Sequence, residues 1–157
     1  MSEQARGFSR GVHDYYAHYA DNADAKIGAI FGLNFAVAGL LVANLPDGCL
    51  PTVFAWQAVA LNAVAGAALL YGIYPRTPPP RGKESSPIFW ETVAGESSAH
   101  DYATRVEGLT EAEIDRAYAL NNYVVAGVLH TKFWAIRVAI WFTVAALAST
   151  LASVIAR

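Results

Sequence analysis

Three long apolar stretches, residues 27–45, 52–74 and 135–156, set the pattern of this chain. Each runs to about 20 residues with almost no charge, the length an α-helix needs to cross a bilayer core of about 30 Å. Only Leu45-Pro46-Asp47-Gly48-Cys49-Leu50-Pro51 separates the first two. Pro-Asp-Gly is a turn signal, so this pair is predicted to form an antiparallel hairpin. A polar insert divides the second stretch from the third.

Outside these stretches the apolar positions fall on a helical stripe. Phe8, Val12, Tyr15 or Tyr16, Tyr19, Ala23 and Ile27 recur at helical spacing, and no proline precedes Pro46. One helix from about residue 7 to 44 is predicted, with its first third projecting from the membrane. Thr110-Glu-Ala-Glu113 fits a capping box. From there Ile114, Ala117 or Tyr118, Asn121, Val124 or Val125, Val128, Leu129 and Phe133 carry a stripe into the third span without a stop signal. A second long helix, from about residue 111 to 156, is therefore expected. Both projecting stalks lie on the same side, where they bury their stripes against each other. Residues 77–87 read as a proline-rich extended linker. Ile88-Phe89-Trp90 is a short apolar island, and residues 96–109 are polar and mixed.

The fold class is an all-α membrane protein: three transmembrane helices, the first and third extended into cytoplasmic helical stalks. The expected organisation is a cytoplasmic N-terminal helix (1–26), a transmembrane hairpin (27–74), a cytoplasmic linker and sensor helix (75–134) and a third transmembrane helix (135–157).

Orientation follows from the basic residues. Arg6, Arg10 and Lys26 precede the first span, Arg76, Arg81 and Lys83 follow the second, and Lys132 and Arg137 flank the third. The hairpin turn has none, and Arg157 alone dissents. The positive-inside rule then places the N-terminus and residues 75–134 in the cytoplasm. The first span follows a polar segment and lacks a small-residue cleavage site, so it is expected to stay as an anchor. Lipid anchors are not needed to explain membrane attachment.

Composition narrows the function classes. The chain has 157 residues, about one domain, and only 15% are charged, below the roughly 25% usual in soluble domains. A net charge of -2 offers no field to attract nucleic acid. Cys49 is the only cysteine, which excludes an internal disulfide and a thiolate zinc cluster.

Asn34, Gln57, Asn62, Thr143, Ser149, Thr150 and Ser153 are the polar groups inside the spans. They either hydrogen-bond between helices, at about 1 kcal/mol each, or, for Asn34 and Asn62, line a polar seam that opens. No ionisable residue sits at the midplane, which argues against proton-coupled transport. Gly28-x-x-x-Gly32, and Ala148, Ala152 and Ala156, let helix backbones approach within one subunit or between subunits. Three spans bury little alone, so a homo-oligomer is expected. Asp14, His18 and Asp21 share one helix face, but only His100 and His130 remain elsewhere as histidine ligands. No metal site is expected, and that face reads as solvated or as a subunit contact. There is no Gly-rich phosphate loop, nucleophile elbow or Cys–His pair, so neither an enzyme nor a cofactor is indicated. What remains is a set of cations (Lys26, Arg76, Arg81, Lys83, Lys132, Arg137) with Phe89, Trp90, Tyr102, Tyr118 and Tyr123. Such residues suit a phosphate and a nucleobase, and equally suit anchoring at a membrane interface.

Several of these residues recur in a known order. Tyr19-Ala20-Asp21-Asn22, Ala25-Lys26 and Asn34, then Tyr74-Pro75-Arg76, Phe89-Trp90 and Lys132-Phe133-Trp134-x-x-Arg137, resemble the Pycsar transmembrane effector family over nearly the whole chain. Two departures stand out. The spacing from Asp21 to Lys26 is longer than the family's, leaving Asp24 as an alternative equivalent acid, and Phe133-Trp134 stands where the family commonly has Tyr.

The resemblance implies an antiphage effector of the bacterial inner membrane. A partner cyclase makes cCMP or cUMP on infection; the effector senses it and impairs the membrane. It implies phosphate contacts or interface anchoring for Arg76, Lys132 and Arg137, base stacking for Trp90, and a ligand set completed by Lys26 and Asp21. The competing readings are a constitutive membrane scaffold or transporter accessory subunit, and, less well supported, a membrane enzyme.

Overall fold

The computed structural model describes residues 3–74 and 87–156, with their side chains except at 3–6, 90 and 91. Every described element is an α-helix: α1 (Glu3–Ala43), α2 (Cys49–Ile73), α3 (Trp90–Ala94), α4 (Ala99–Glu107) and α5 (Glu111–Ile155). Helices α1, α2 and α5 are long and apolar enough to cross a membrane. The protein is thus an all-α, multi-pass membrane protein, and α1 and α5 each extend well beyond their apolar segments. The chain divides into two units. The first is Met1–Ala20 with Arg76–Leu129, and the second is Asp21–Pro75 with His130–Arg157.

The second unit is a three-helix bundle. Helix α2 buries Pro51, Ala55, Ala58, Asn62, Ala65, Leu69 and Gly72. These positions alternate by four and three residues, the seam of a left-handed helix pair. Against them lie Ala135, Ala139 and Ala146 of α5 and Ile27 and Leu41 of α1, all buried. The large side chains point the other way: Phe35 is 71% exposed, Trp141 74% and Ile155 76%. Apart from Ile27, Leu41, Leu69 and Ile136, the buried hydrophobic positions described in this unit are alanines, which suits a bundle in lipid. Lipid is as apolar as the side chains, so close backbone approach decides the packing. The tightest approach is at Gly72, where an added Cβ would lie 2.8 Å from that of Ala135.

Polar groups stitch the bundle together. Asn34 Nδ2 donates to Ile30 O at 2.7 Å and to Thr143 Oγ1 at 2.9 Å, joining α1 to α5. Ser149 Oγ donates to Phe54 O at 2.9 Å and Ser153 Oγ to Pro51 O at 2.8 Å, joining α5 to α2. Asn62 instead donates back to Ala58 O of its own helix, at 2.9 Å. The interhelical reading therefore holds for Asn34, Gln57, Thr143, Ser149 and Ser153, while Thr150, like Asn62, donates back within its own helix. Replacing Thr143 with Val should cost about 1 kcal/mol, since Asn34 keeps Ile30 O as a fallback. A double-mutant cycle with Asn34→Leu, followed by unfolding in micelles, should give a coupling of similar size.

The turn between α1 and α2 is shorter than expected, because Cys49, Leu50 and Pro51 already belong to α2. Proline is compatible with a first helical turn, where its missing N–H has no intrahelical partner to lose. Gly48 precedes the helix with φ at 98°, and Thr52 Oγ1 donates to Pro46 O at 2.7 Å and to Gly48 O at 2.6 Å.

In the first unit, α3 and α4 occupy sequence that showed no helical stripe. Helix α4 is set by its start: Ser98 Oγ accepts from Asp101 N at 3.1 Å and donates to Asp101 Oδ2 at 2.9 Å. Arg105, in its last turn, pairs with Glu96. Tyr102 Oη donates to Pro87 O at 3.0 Å and ties α4 to the segment before α3.

Helix α5 opens with the expected capping box. Thr110 N and Oγ1 each donate to Glu113 Oε2 at 2.7 Å. Hydrogen bonds from the Thr110 side chain and backbone hold the Glu113 carboxyl below its usual pKa. A depressed folded pKa means the cap contributes fully above the unfolded Glu value, about 4.3, and is lost as pH falls through the lower folded value. Amide protection factors at Glu113 and Ile114, taken relative to intrinsic exchange at each pH, should therefore fall on acidification below about pH 4 and stay level above about pH 5.

Candidate functional site

Two polar clusters stand out, one in each unit. In the second unit, Lys132 Nζ donates to both carboxylate oxygens of Asp24, at 2.6 and 2.8 Å. The Lys132 side chain is largely buried, while Asp24 is about half exposed. Lys26 Nζ lies 5.9 Å from the centroid of the Phe133 ring, a weak cation–π contact. Asp21 and Arg137 are exposed on the same two helices. Charged groups here sit where polar sequence gives way to the uncharged spans.

The first unit carries a seam between α1 and α5. Ser9 O accepts from Asn122 Nδ2 at 2.9 Å. His13 Nδ1 lies 3.3 Å from Asn121 Nδ2, and the His13 ring meets Tyr118 edge-on at 5.4 Å. The Arg10 guanidinium sits 5.9 Å from the centroid of the Tyr118 ring. Asp115 belongs to the buried face of α5, at 1% exposure, and Asn122 follows two turns later at 8%. Neither Asp115 oxygen, nor Asn122 Oδ1, has a hydrogen-bond partner among the described residues.

The sequence-derived ligand set is divided between the two units. Lys26, Lys132, Asp21 and Arg137 belong to the second unit, whereas Trp90, the first residue of α3, belongs to the first. Arg76 and the side chain of Trp90 lie outside the described residues. Asp24, the alternative acid, is the residue that engages Lys132. On α1, His13 turns toward α5 while Asp14, His18 and Asp21 are exposed. Sequence reasoning missed Asp115, Asn122 and Ser9. The signal was there: Asp115, Tyr118, Asn122, Val125 and Leu129 share one helical stripe. A charged residue on such a stripe reads by default as solvated.

One observation bears on both units together. The family model described as PycTM, Pycsar effector protein domain, matches residues 8–157. The chain belongs to the Pycsar effector family. No curated protein and no solved structure matches it. As a Pycsar effector it is a component of antiphage defence, and its three candidate spans make it a multi-pass membrane component. The Pycsar match begins at Phe8, inside the first unit's part of α1, and runs to the end of α5 in the second. The polar seam and the apolar bundle are therefore parts of one family domain.

Proposed function

We propose that this Pycsar effector senses a cyclic pyrimidine mononucleotide, cCMP or cUMP, made by a partner cyclase, and in response impairs the bacterial inner membrane without catalysis. Growth then stops before phage mature. The observation that carries this reading is the family match through a polar unit and a membrane bundle that share two helices. A ligand acts only through a difference in affinity between two states, so a sensor needs an element able to repack. Helices α1 and α5 supply it, since each contributes one continuous helix to both units. The positive-inside rule places the N-terminus in the cytoplasm, where a cyclase product accumulates.

Of the two roles open to Lys132, the Asp24 ion pair supports interface anchoring. Lys26, Arg137 and Asp21 go with it at the membrane edge. Arg76 and Trp90 keep the phosphate-contact and base-stacking roles. The reading includes a homo-oligomer: no described atom lies within 4 Å of a Cβ built on Gly28 or Gly32, so among the described residues nothing packs against these glycines and their faces are open to a second copy.

The test is dye release from liposomes holding the purified protein, with and without cCMP and cUMP. Release with at least one nucleotide is expected, and none with either overturns the sensing reading. Arg76→Ala should lose the response. Lys132→Ala should keep nucleotide binding while changing the amount of dye released. Full release in both variants would remove the two residues from the mechanism.

A further inference from the structure

The first unit contains an unmet chemical demand. Three buried acceptor atoms, both oxygens of Asp115 and Oδ1 of Asn122, receive no hydrogen bond among the described residues. Asp115 is 1% exposed, so bulk solvent does not reach its carboxyl. A buried carboxyl without a donor is among the costlier features a fold carries. The other polar groups of the seam are engaged: Asn122 Nδ2 is held by Ser9 O and Asn121 by His13. A molecule carrying hydrogen-bond donors would meet these acceptors.

The geometry points to a nucleotide-reading site on the buried face of α5, beside its seam with α1, in which Asp115 accepts the exocyclic amine of a cytosine base, so that the effector responds to cCMP in preference to cUMP. This rests on the cyclic-pyrimidine reading above and assigns its base and its place. Cytosine and uracil differ where a carboxylate discriminates best. Cytosine presents an N4 amine donor, for which Asp and Glu are the natural acceptors. Uracil presents an O4 acceptor at the same position, which leaves the carboxyl unmet and sets oxygen against oxygen.

Tyr118 lies one turn beyond Asp115 on α5 and offers one of the two faces between which a base stacks. Arg10, whose guanidinium is 5.9 Å from that ring centroid, adds one of the cations around the cyclic phosphate. Asn122 Oδ1 stands about 10 Å from Asp115 along the helix and takes the second donor of such a ligand, the ribose 2′-hydroxyl. Asp115 and Asn122 are buried. Ligand entry must part the two helices there, which is the difference between states that a sensor requires.

The test is calorimetric titration of the full chain in lipid nanodiscs with cCMP and with cUMP, for the wild type, Asp115→Asn and Asp115→Leu. The wild type should prefer cCMP by about ten-fold or more. Asp115→Asn can donate to O4 as well as accept from N4, so it should weaken cCMP binding and move the preference toward cUMP. Asp115→Leu removes two unmet acceptors and should leave thermal stability equal or higher, while losing the cCMP preference. A stable Asp115→Leu protein with wild-type cCMP affinity overturns this assignment and leaves nucleotide sensing standing, as does equal or tighter binding of cUMP by the wild type. Absence of binding for both nucleotides overturns the assignment and the sensing reading together.

Discussion

Gly72→Ala should separate α2 from α5 and cost about 1–3 kcal/mol of stability, with Gly72→Leu costing more. The reason is local and steric. A Cβ on residue 72 would meet the Cβ of Ala135 at 2.8 Å, with the Lys132 Cα at 3.9 Å and Ile27 Cδ1 at 3.7 Å. Ala135 has no rotamer to turn away, so the two helices must move apart, and the seam of small residues on either side loosens with them. Thermal unfolding in micelles, followed by circular dichroism, measures the loss. The diagnostic result is rescue: Ala135→Gly should restore most of the stability of Gly72→Ala, although alone it deletes a buried methyl. Two costs that simply add would mean the helices are not in contact at this point.

The second large effect is expected at the turn. Gly48 has φ 98° and ψ 148°, a region that is essentially closed to residues with a Cβ. Gly48→Ala should therefore cost about 1–3 kcal/mol. Crowding is not the cause, because the added Cβ would meet Pro51 Cγ at an ordinary 3.4 Å. The matched control is Gly28→Ala in α1, where nothing lies within 4 Å of the new methyl. That variant should keep the monomer's thermal stability. A Gly48→Ala protein as stable as Gly28→Ala would show that the turn is not held in the conformation described here.

How much of this was legible beforehand differs by element. The long helices were readable because each carries a strong one-dimensional signal: a span-length apolar run, no interior break in α1 or α5, and a capping box at Thr110. Helices α3 and α4 were not. Helix α4 has no buried residue; it is fixed by Ser98, Asp101 and an Arg105–Glu96 pair, all short-range polar contacts that leave no apolar period. The membrane-edge ion pair was half visible. Lys132 and Asp24 each stand out in the sequence, but nothing in it joins residues that far apart. The seam around Asp115 was least visible, since a charged side chain gives no hint that it is buried.

A membrane location, three span-length helices, two of them running on beyond their apolar stretch, and a resemblance to the Pycsar family can all be read along the chain. Those properties follow from length, apolarity and ordered motifs, which are additive along a chain. Only the tertiary structure decided which face of each span is inward. Both faces of α2 are apolar, so hydropathy carries no period there. The inward face is marked by size instead, with Ala55, Ala58, Ala65 and Gly72 turned in and Val53, Trp56, Val64 and Leu70 turned out. In lipid it is closeness of approach, not polarity, that selects the face. Closeness exists only once two helices are side by side. The same holds for Asp115: whether a carboxyl is solvated or buried without a donor depends on what packs over it, which no single helix records.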